Sequence, residues 1–253
     1  MIDIPRVVAH RGSSGRAPEN TLHALRLAID EDGAGGLELD LRRSADGAVV
    51  VLHDDTVDRT TDGTGRSDSL PLGALRELDA GARFGAGEFA GRSIRIPTLE
   101  EVLESFPRTW LSLDLKQGDP VTERATVELL LRFGRTGDVV LSAEDPRAAT
   151  RIARLAPDIP RFVHRAGVRS FYFRHRLRLF AGWRAPGQSL QIPVRHGRFD
   201  LSSARLIRDA HARGMRVLYW TVNDLELARE LFARGADGII TDWPSRMREF
   251  ASV

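Results

Sequence analysis

The chain has 253 residues, of which 42% are hydrophobic, so it is long enough to bury a sizeable core, and it has no cysteine, which excludes disulfides and thiolate metal sites. Its formal net charge is +2, and the sequence pI of about 9.6 arises because arginine, which does not titrate below about pH 12, carries nearly all the positive charge. The near-neutral balance argues against a nucleic-acid partner, and the lack of a signal-peptide pattern or a run of about 18 apolar residues leads us to expect a cytoplasmic protein.

Short β-rich runs alternate along the chain with amphipathic segments of helical length. In chain order, we predict strands at 7–10, 36–41, 48–53, 110–116, 138–143, 161–164, 189–194, 216–222 and 238–242. We predict helices at 19–32, 98–106, 121–134, 146–156, about 170–180, 201–214, 225–235 and 245–251. This alternation favours an α/β fold, a TIM (β/α)₈ barrel, over an open doubly wound sheet. The G-x-G-x-x-G pattern of dinucleotide-binding folds is also missing after the first strand.

Residues 54–96 interrupt the alternation. This stretch is rich in Asp, Gly, Thr and Arg, and it is too long for an ordinary loop. No interdomain linker is evident elsewhere. We therefore predict a single domain over residues 1–253, in which 54–96 forms an insertion near the site or a small subdomain.

Polar and aromatic side chains fall at the ends of the predicted strands, where a (β/α)₈ barrel has its site. Each has a structural alternative, such as a hydrogen-bonded histidine at a strand end or a tryptophan that packs in the core. Lys116 is the only lysine in the chain, which indicates a position with no room or no use for a guanidinium. The candidate site residues are His10, Arg11, Glu38, Asp40, His53, Asp114, Lys116 and Trp220.

The chemistry of this set is consistent with phosphoester cleavage. Carboxylate oxygens suit a hard cation such as Ca²⁺ or Mg²⁺ better than Zn²⁺. Arginine and lysine suit an anionic oxygen, above all that of a phosphate. Two histidines can act as general base and general acid near neutral pH.

The motifs around these residues closely resemble those of the glycerophosphodiester phosphodiesterase family. The similarity runs from about residue 7 to residue 244, in order and with matching spacing. It rests on HRG at 10–12, PENT at 18–21, ELD at 38–40, HD at 53–54, RTT at 59–61, IPTLE at 96–100, WTVN at 220–223 and GADGIITD at 235–242.

The resemblance implies a TIM barrel with a small insertion after the second barrel strand, which maps to about 54–96. It implies metal-dependent hydrolysis of glycerophosphodiesters to an alcohol and sn-glycerol 3-phosphate. By similarity, His10 and His53 form the acid–base pair. Arg11 and Lys116 would hold the phosphate, and Trp220 would line the glycerol pocket.

The resemblance also implies a divalent cation, Mg²⁺ or Ca²⁺, held by carboxylates. Glu38 and Asp40 match the metal ligands of the family. Asp114 is the third candidate ligand, although the family commonly has a glutamate there, which is one methylene longer. The other implied partner is a small-molecule glycerophosphodiester.

Two alternative functions remain open. One is a lysophospholipase D or sphingomyelinase D-like phosphodiesterase that acts on lipids at a membrane surface with the same catalytic groups. The other is a non-catalytic binding module on the same fold, which the presence of both histidines, the carboxylate pair and the lysine disfavours.

The stretch 161–198 is basic and aromatic. The simplest interpretation is an exposed barrel helix at about 170–180, with arginines on its outer face and phenylalanines on its inner face. Peripheral contact with an anionic membrane is a second interpretation. Nucleic-acid binding is the weakest, and the sequence indicates no particular oligomeric state.

Overall fold

The computed structural model describes residues 2–143 and 145–251, in which strands alternate with helices. The strands are β1 (Val7–His10), β2 (Gly36–Arg43), β3 (Val49–Val51), β4 (Trp110–Leu115), β5 (Val139–Ser142), β6 (Ser189–Pro193), β7 (Arg195–His196), β8 (Phe199–Asp200), β9 (Arg216–Trp220) and β10 (Gly238–Thr241). The α-helices are α1 (Leu22–Arg26), α2 (Leu72–Glu77), α3 (Leu99–Ser105), α4 (Pro120–Arg132), α5 (Pro146–Leu155), α6 (Arg165–Leu177), α7 (Ala204–His211) and α8 (Leu225–Ala233). A π-helical segment (Leu27–Glu31) continues α1, and two 3₁₀ helices span Ser67–Ser69 and Pro244–Phe250.

Seven strands form a parallel sheet in the order β5-β4-β2-β1-β10-β9-β6. The segment after α5 lies between its two ends, because the Leu141 amide donates to the Pro160 carbonyl at 2.9 Å and Phe162 forms a parallel bridge with Ser189. The predicted strand at 161–164 is thus reduced to a single bridge in the eighth position. The TIM (β/α)₈ fold is confirmed.

The predicted strand at 48–53 is not a barrel strand. As β3, it pairs antiparallel with β2, with Leu41 opposite Val51. Only residues 44–48 connect the two strands, whereas a parallel crossover needs a dozen residues or more. The chain therefore folds straight back after β2. The residues that follow β3 place His53 at the rim of the barrel.

Several helix boundaries differ from the prediction because of local capping. Helix α6 begins at Arg165 rather than near 170, since the His164 ring nitrogen accepts a hydrogen bond from the Gly167 amide. At α1 the cap is as the sequence favours, since Asn20 and Thr21 are both suitable N-cap residues and the Thr21 hydroxyl accepts from the Ala24 amide, so the helix begins at Leu22. The hairpin of β7 and β8 was not predicted.

The barrel interior is packed at one end and lined with polar groups at the other. Its apolar cluster comprises Val8, Trp110, Val140, Phe162, Leu218 and Ile240, with Ile2 and Ile4 packed against it. Such packing makes the barrel a core rather than a pore, and it leaves the carboxyl ends of the strands for function. Among the described residues, no helix is long and apolar enough to cross a membrane.

Residues 54–96 contain helix α2 and the 3₁₀ helix Ser67–Ser69, which the sequence pattern did not predict. Their apolar side chains pack with the end of β3 in a separate cluster that includes Val50, Val57, Leu75 and Ile96. The single-domain organisation, with this stretch as an insertion, stays a prediction.

Candidate active site

All eight predicted site residues line one cavity of about 680 Å³ at the carboxyl ends of the barrel strands. Strand register explains how they meet. The parallel pairing of β1 with β2 places His10 beside Glu38, and the pairing of β2 with β4 places Asp40 beside Asp114. Because side chains two apart in a strand share a face, Glu38 and Asp40 point the same way.

The turn after β1 explains why this strand ends on His10, Arg11 and Gly12. The Arg11 amide donates to the Glu38 carbonyl at 2.8 Å, which extends the β1–β2 ladder by one bond. Gly12 then turns with φ of +82°, and a Cβ there would lie 2.6 Å from the Ala24 backbone. Only glycine fits this close approach, so Arg11 stays at the cavity rim.

The ring of His10 is held by a carboxylate that was not among the predicted site residues. His10 Nδ1 lies 2.6 Å from Asp242 Oδ1, and Asp242 also accepts hydrogen bonds from Ser14 and Asn223. The other ring nitrogen lies 3.9 Å from Glu38 Oε2. Burial by itself lowers the pKa of His10, but the hydrogen bond to Asp242 and the charge of Glu38 outweigh burial, so the pKa is raised.

His53 has a matching arrangement. Its Nδ1 lies 2.6 Å from Asp54 Oδ1, and Asp54 also accepts from Arg59 at 2.5 Å. Burial alone raises the pKa of Asp54, but the hydrogen bonds from Arg59 and His53 outweigh it and lower the pKa to about 2. Arg59 in turn binds Glu19, which accepts from Arg11 at 2.9 Å. A chain of ion pairs therefore links the His53 side of the cavity to the Arg11 side.

Asp40 is the most deeply buried carboxylate of the site, with 1% of its side chain exposed. It lies 3.0 Å from Lys116 Nζ and 3.0 Å from Arg11 Nε, and it accepts from Asn20 at 2.9 Å. Burial opposes ionisation, but the two cations outweigh it and hold the pKa of Asp40 below its ordinary value. Lys116 also donates to Asp114 at 2.5 Å, so one ammonium serves two carboxylates.

Glu38 differs from Asp40 in its surroundings. Its Oε2 is buried and has no hydrogen-bond partner among the residues that the structure describes. Burial, followed by the negative charge of Asp40, raises the pKa of Glu38 to about 7. A buried carboxylate oxygen without a donor is costly unless a proton or a cation reaches it.

The donor chemistry at this point fits a hard divalent cation. The cavity presents the carboxylates of Glu38, Asp40 and Asp114, and oxygen ligands are those that Mg²⁺ and Ca²⁺ prefer. Within residues 2–143 and 145–251, no three or more acidic or histidine side chains are grouped so that they could hold a metal ion. Lys116 instead pairs with two of the three carboxylates.

The groups that hold the site side chains in place were not among the predicted site residues. Asp242 and Asp54 orient the two histidines, and Asn20 contacts Asp40. The signal was present, since all three lie in the motifs that carry the family resemblance. The apolar side of the cavity, which is lined by residues of α6 and of the β7–β8 hairpin, was not predicted either.

Comparison with known proteins gives a consistent result. Residues 10–246 match the Glycerophosphoryl diester phosphodiesterase family. YhdW of Bacillus subtilis (strain 168) is 35% identical over 242 residues, which cover 94% of each chain. The glycerophosphodiester phosphodiesterase of Caldanaerobacter subterraneus subsp. tengcongensis is 32% identical over 246 residues, covering 95% of each. An Oleispira antarctica phosphodiesterase, solved in complex with the product sn-glycerol-3-phosphate, is 33% identical with a TM-score of 0.78, and the match covers 98% of this chain and 96% of that one.

Proposed function

The chain belongs to the glycerophosphoryl diester phosphodiesterase family, and we propose that it hydrolyses glycerophosphodiesters to an alcohol and sn-glycerol 3-phosphate through a two-histidine, metal-dependent mechanism. One observation carries the proposal. Two histidines, each held at Nδ1 by a carboxylate, line the same cavity as Arg11 and Lys116. Proton-transferring groups and phosphate-binding cations thus meet around one space.

The histidines supply the proton transfers. One imidazole takes the proton from the attacking oxygen as its bond to phosphorus forms. That oxygen belongs either to water or to a hydroxyl of the glycerol, in which case water opens the resulting cyclic phosphate in a second step. The other imidazole gives a proton to the leaving oxygen as its bond to phosphorus breaks. Because Asp242 and Asp54 occupy the Nδ1 atoms of His10 and His53, Nε2 is the nitrogen available for transfer on each ring.

Arg11 and Lys116 hold the phosphate in this proposal. Both are charged across the neutral range. Asp40 outweighs the effect of burial on Arg11, and Asp114 together with Asp40 outweighs it on Lys116, so the pKa of each group is raised. Charge-assisted hydrogen bonds to a phosphate oxygen are stronger than neutral ones. Trp220, with 42% of its surface exposed at the end of β9, would lie against the glycerol.

Glu38, Asp40 and Asp114 would hold Mg²⁺ or Ca²⁺. When bound, such a cation polarises a phosphoryl oxygen and neutralises developing negative charge. Oε2 of Glu38, which has no hydrogen-bond partner in the described part of the chain, supports this assignment. Asn20 donates a hydrogen bond to the Asp40 carboxylate, which helps to fix its position.

Release of glycerol 3-phosphate tests the reaction class directly. With glycerophosphocholine as substrate and Mg²⁺ or Ca²⁺ supplied, we expect product in a coupled glycerol-3-phosphate dehydrogenase assay. Enzyme-free and substrate-free reactions give the background. No release with either cation would contradict the proposed reaction.

We also propose that residues 161–198 contact an anionic membrane surface. Helix α6 and the residues after it carry three exposed apolar side chains among several arginines. Phe173, Leu177 and Leu179 expose 59%, 65% and 60% of their surfaces. Exposed apolar groups flanked by basic residues are typical of a surface that rests on anionic lipid.

Liposome flotation measures this contact. We expect the protein to float with vesicles that contain an anionic lipid and to stay at the bottom with purely zwitterionic vesicles. Raising the salt concentration should reduce the floating fraction, because it screens the arginines. Equal behaviour with both vesicle types would contradict the proposal.

A further inference from the structure

A second cavity, of about 430 Å³, is formed by the segment after α6 and by α7 with the turn that follows it. None of its lining residues lines the cavity that holds the candidate catalytic groups. We name it the arginine crevice. Its lining residues in the described part of the chain are Arg178, Phe180, Ala181, Arg205, Asp209 and Arg213.

The positive charge of the arginine crevice is not balanced. Three guanidinium groups face one carboxylate, that of Asp209, which leaves an excess of two positive charges. That carboxylate is already engaged, because its Oδ2 lies 2.6 Å from His175 Nδ1 and only 3.9 Å from Arg205 Nε. Elsewhere in this chain the pairing is more complete, since Arg59 and Arg229 each contact two carboxylates. A doubly charged anion would balance the crevice.

Two of the guanidinium groups are held in place by neutral groups. Cζ of Arg213 lies 3.3 Å from the centroid of the Phe180 ring, and its Nη1 donates to the Asp209 carbonyl at 2.6 Å. Nη2 of Arg205 donates to the His175 carbonyl at 2.9 Å. A ring face and two carbonyls fix the positions of these side chains without cancelling their charge. Because a guanidinium has five N–H donors, others remain for a bound anion.

Arg178 is the third cation of the crevice. It ends α6 in the left-handed conformation, with φ of 57°, and its guanidinium has no hydrogen-bond or ion-pair partner within residues 2–143 and 145–251. A single unpaired arginine is ordinary on a protein surface. This one lines the same crevice as two arginines whose positions are fixed, so the three together present a convergent set of donors.

We propose that the arginine crevice binds the dianion of a phosphate monoester, at a site separate from the active site. Such a group carries about two negative charges near neutral pH and three strong acceptor oxygens, which match the excess charge and the three guanidinium groups. A phosphodiester has about half that charge and fits less well. The volume is at the small end of the range of about 300–1,000 Å³ for ligand pockets.

Isothermal titration calorimetry with inorganic phosphate tests the site. In Arg178→Gln we expect the affinity of the crevice to fall at least tenfold, because a charge-assisted contact is lost. Phosphate bound in the active-site cavity contributes equally to wild type and variant, since Arg178 does not line that cavity, and the difference therefore reports the crevice. Dimethyl phosphate, a diester, should show little difference between the two proteins.

Matched variants localise the effect. Arg176→Gln is the control for Arg178→Gln, because Arg176 is exposed on the same helix and loses the same charge but does not line the crevice. Arg205→Gln should also weaken phosphate binding at least tenfold. Arg208→Gln, an exposed position on α7 outside the crevice, is its control. Both controls should keep the wild-type affinity, and circular dichroism checks that every variant folds.

Liposome flotation distinguishes the two sources of a phosphate monoester, a soluble metabolite and a lipid headgroup. The vesicles contain phosphatidic acid, which carries a phosphate monoester, or phosphatidylglycerol at matched surface charge. If the source is a lipid, Arg178→Gln lowers flotation with phosphatidic acid more than Arg176→Gln does, and the two variants float equally with phosphatidylglycerol. If the source is soluble, both variants float equally with both vesicles and the calorimetric loss remains. Either result supports the site.

Two results would overturn the arginine crevice as a phosphate site. One is a calorimetric titration that does not differ between the wild type and Arg178→Gln. The other is an equal loss of affinity in Arg178→Gln and Arg176→Gln, which would indicate an effect of net charge alone. Neither result bears on the proposed hydrolysis, because no step of the test requires turnover.

Discussion

EDTA should abolish the release of glycerol 3-phosphate, and Mg²⁺ or Ca²⁺ in excess of the chelator should restore it. The expectation follows from the carboxylates of Glu38, Asp40 and Asp114, which all line the cavity. Lys116 and Arg11 compensate Asp40, but Oε2 of Glu38 keeps a buried lone pair without a hydrogen-bond partner among the described residues. A bound divalent cation would supply the missing positive charge and would act as a Lewis acid on the phosphoryl oxygen.

The measurement is the coupled assay, run with EDTA, with EDTA saturated beforehand by Ca²⁺ or Mg²⁺, and without chelator. The saturated chelator controls for inhibition by EDTA itself. Glu38→Gln keeps the shape of the side chain but removes its charge, so we expect it to weaken cation binding by at least tenfold in calorimetry. Activity that is indifferent to EDTA, together with unchanged cation binding in Glu38→Gln, would remove the metal from the mechanism.

Replacing His10 or His53 by alanine should lower kcat by about 10²–10⁴-fold, the range for loss of a general acid or base. Both rings line the cavity and have Nδ1 occupied by a carboxylate, so each presents one nitrogen for proton transfer. The KM for glycerophosphocholine should change far less, because neither ring is assigned to phosphate binding. The measurement is steady-state kinetics, with circular dichroism to confirm folding.

His211→Ala is the matched control for these variants. His211 lies 2.7 Å from Asp237, much as His10 lies beside Asp242, yet it is not a lining residue of the cavity. Its kcat should stay within about twofold of the wild-type value.

Asp242→Asn tests whether Asp242 positions the His10 ring or only supports the fold. It should lower kcat with little change in KM, because an amide no longer holds His10 in the required tautomer. Near-full activity in His10→Ala or His53→Ala would refute the acid–base assignment.

Much of the architecture was predictable because the relevant signals are local. Alternating β-rich and amphipathic segments reflect the two side-chain periods of strands and helices, and they indicated the TIM barrel. The same reasoning placed His10, Glu38 and Asp114 at strand ends, where parallel register brings them around one cavity. The direction of β3 was missed although a signal existed. The predicted strands at 36–41 and 48–53 leave only six residues between them, which is too few for a parallel crossover, so β3 has to turn back antiparallel.

The sequence by itself determined the fold class, the end of the barrel that carries the charged groups, and the family. Those features depend on residue types and on short-range spacing, and both can be read directly from the sequence. Only the tertiary structure decided which partner holds each group. Asp242 is 232 residues from His10 along the chain, and they meet because β1 and β10 are neighbours in the closed sheet. The apolar side of the cavity is likewise a tertiary feature, because Phe173 and Phe199 come from separate elements, α6 and β8, that line one cavity only in the folded chain. Contacts between residues far apart in the sequence, and cavities lined by several elements, form when the barrel closes. No single segment of the sequence determines that closure.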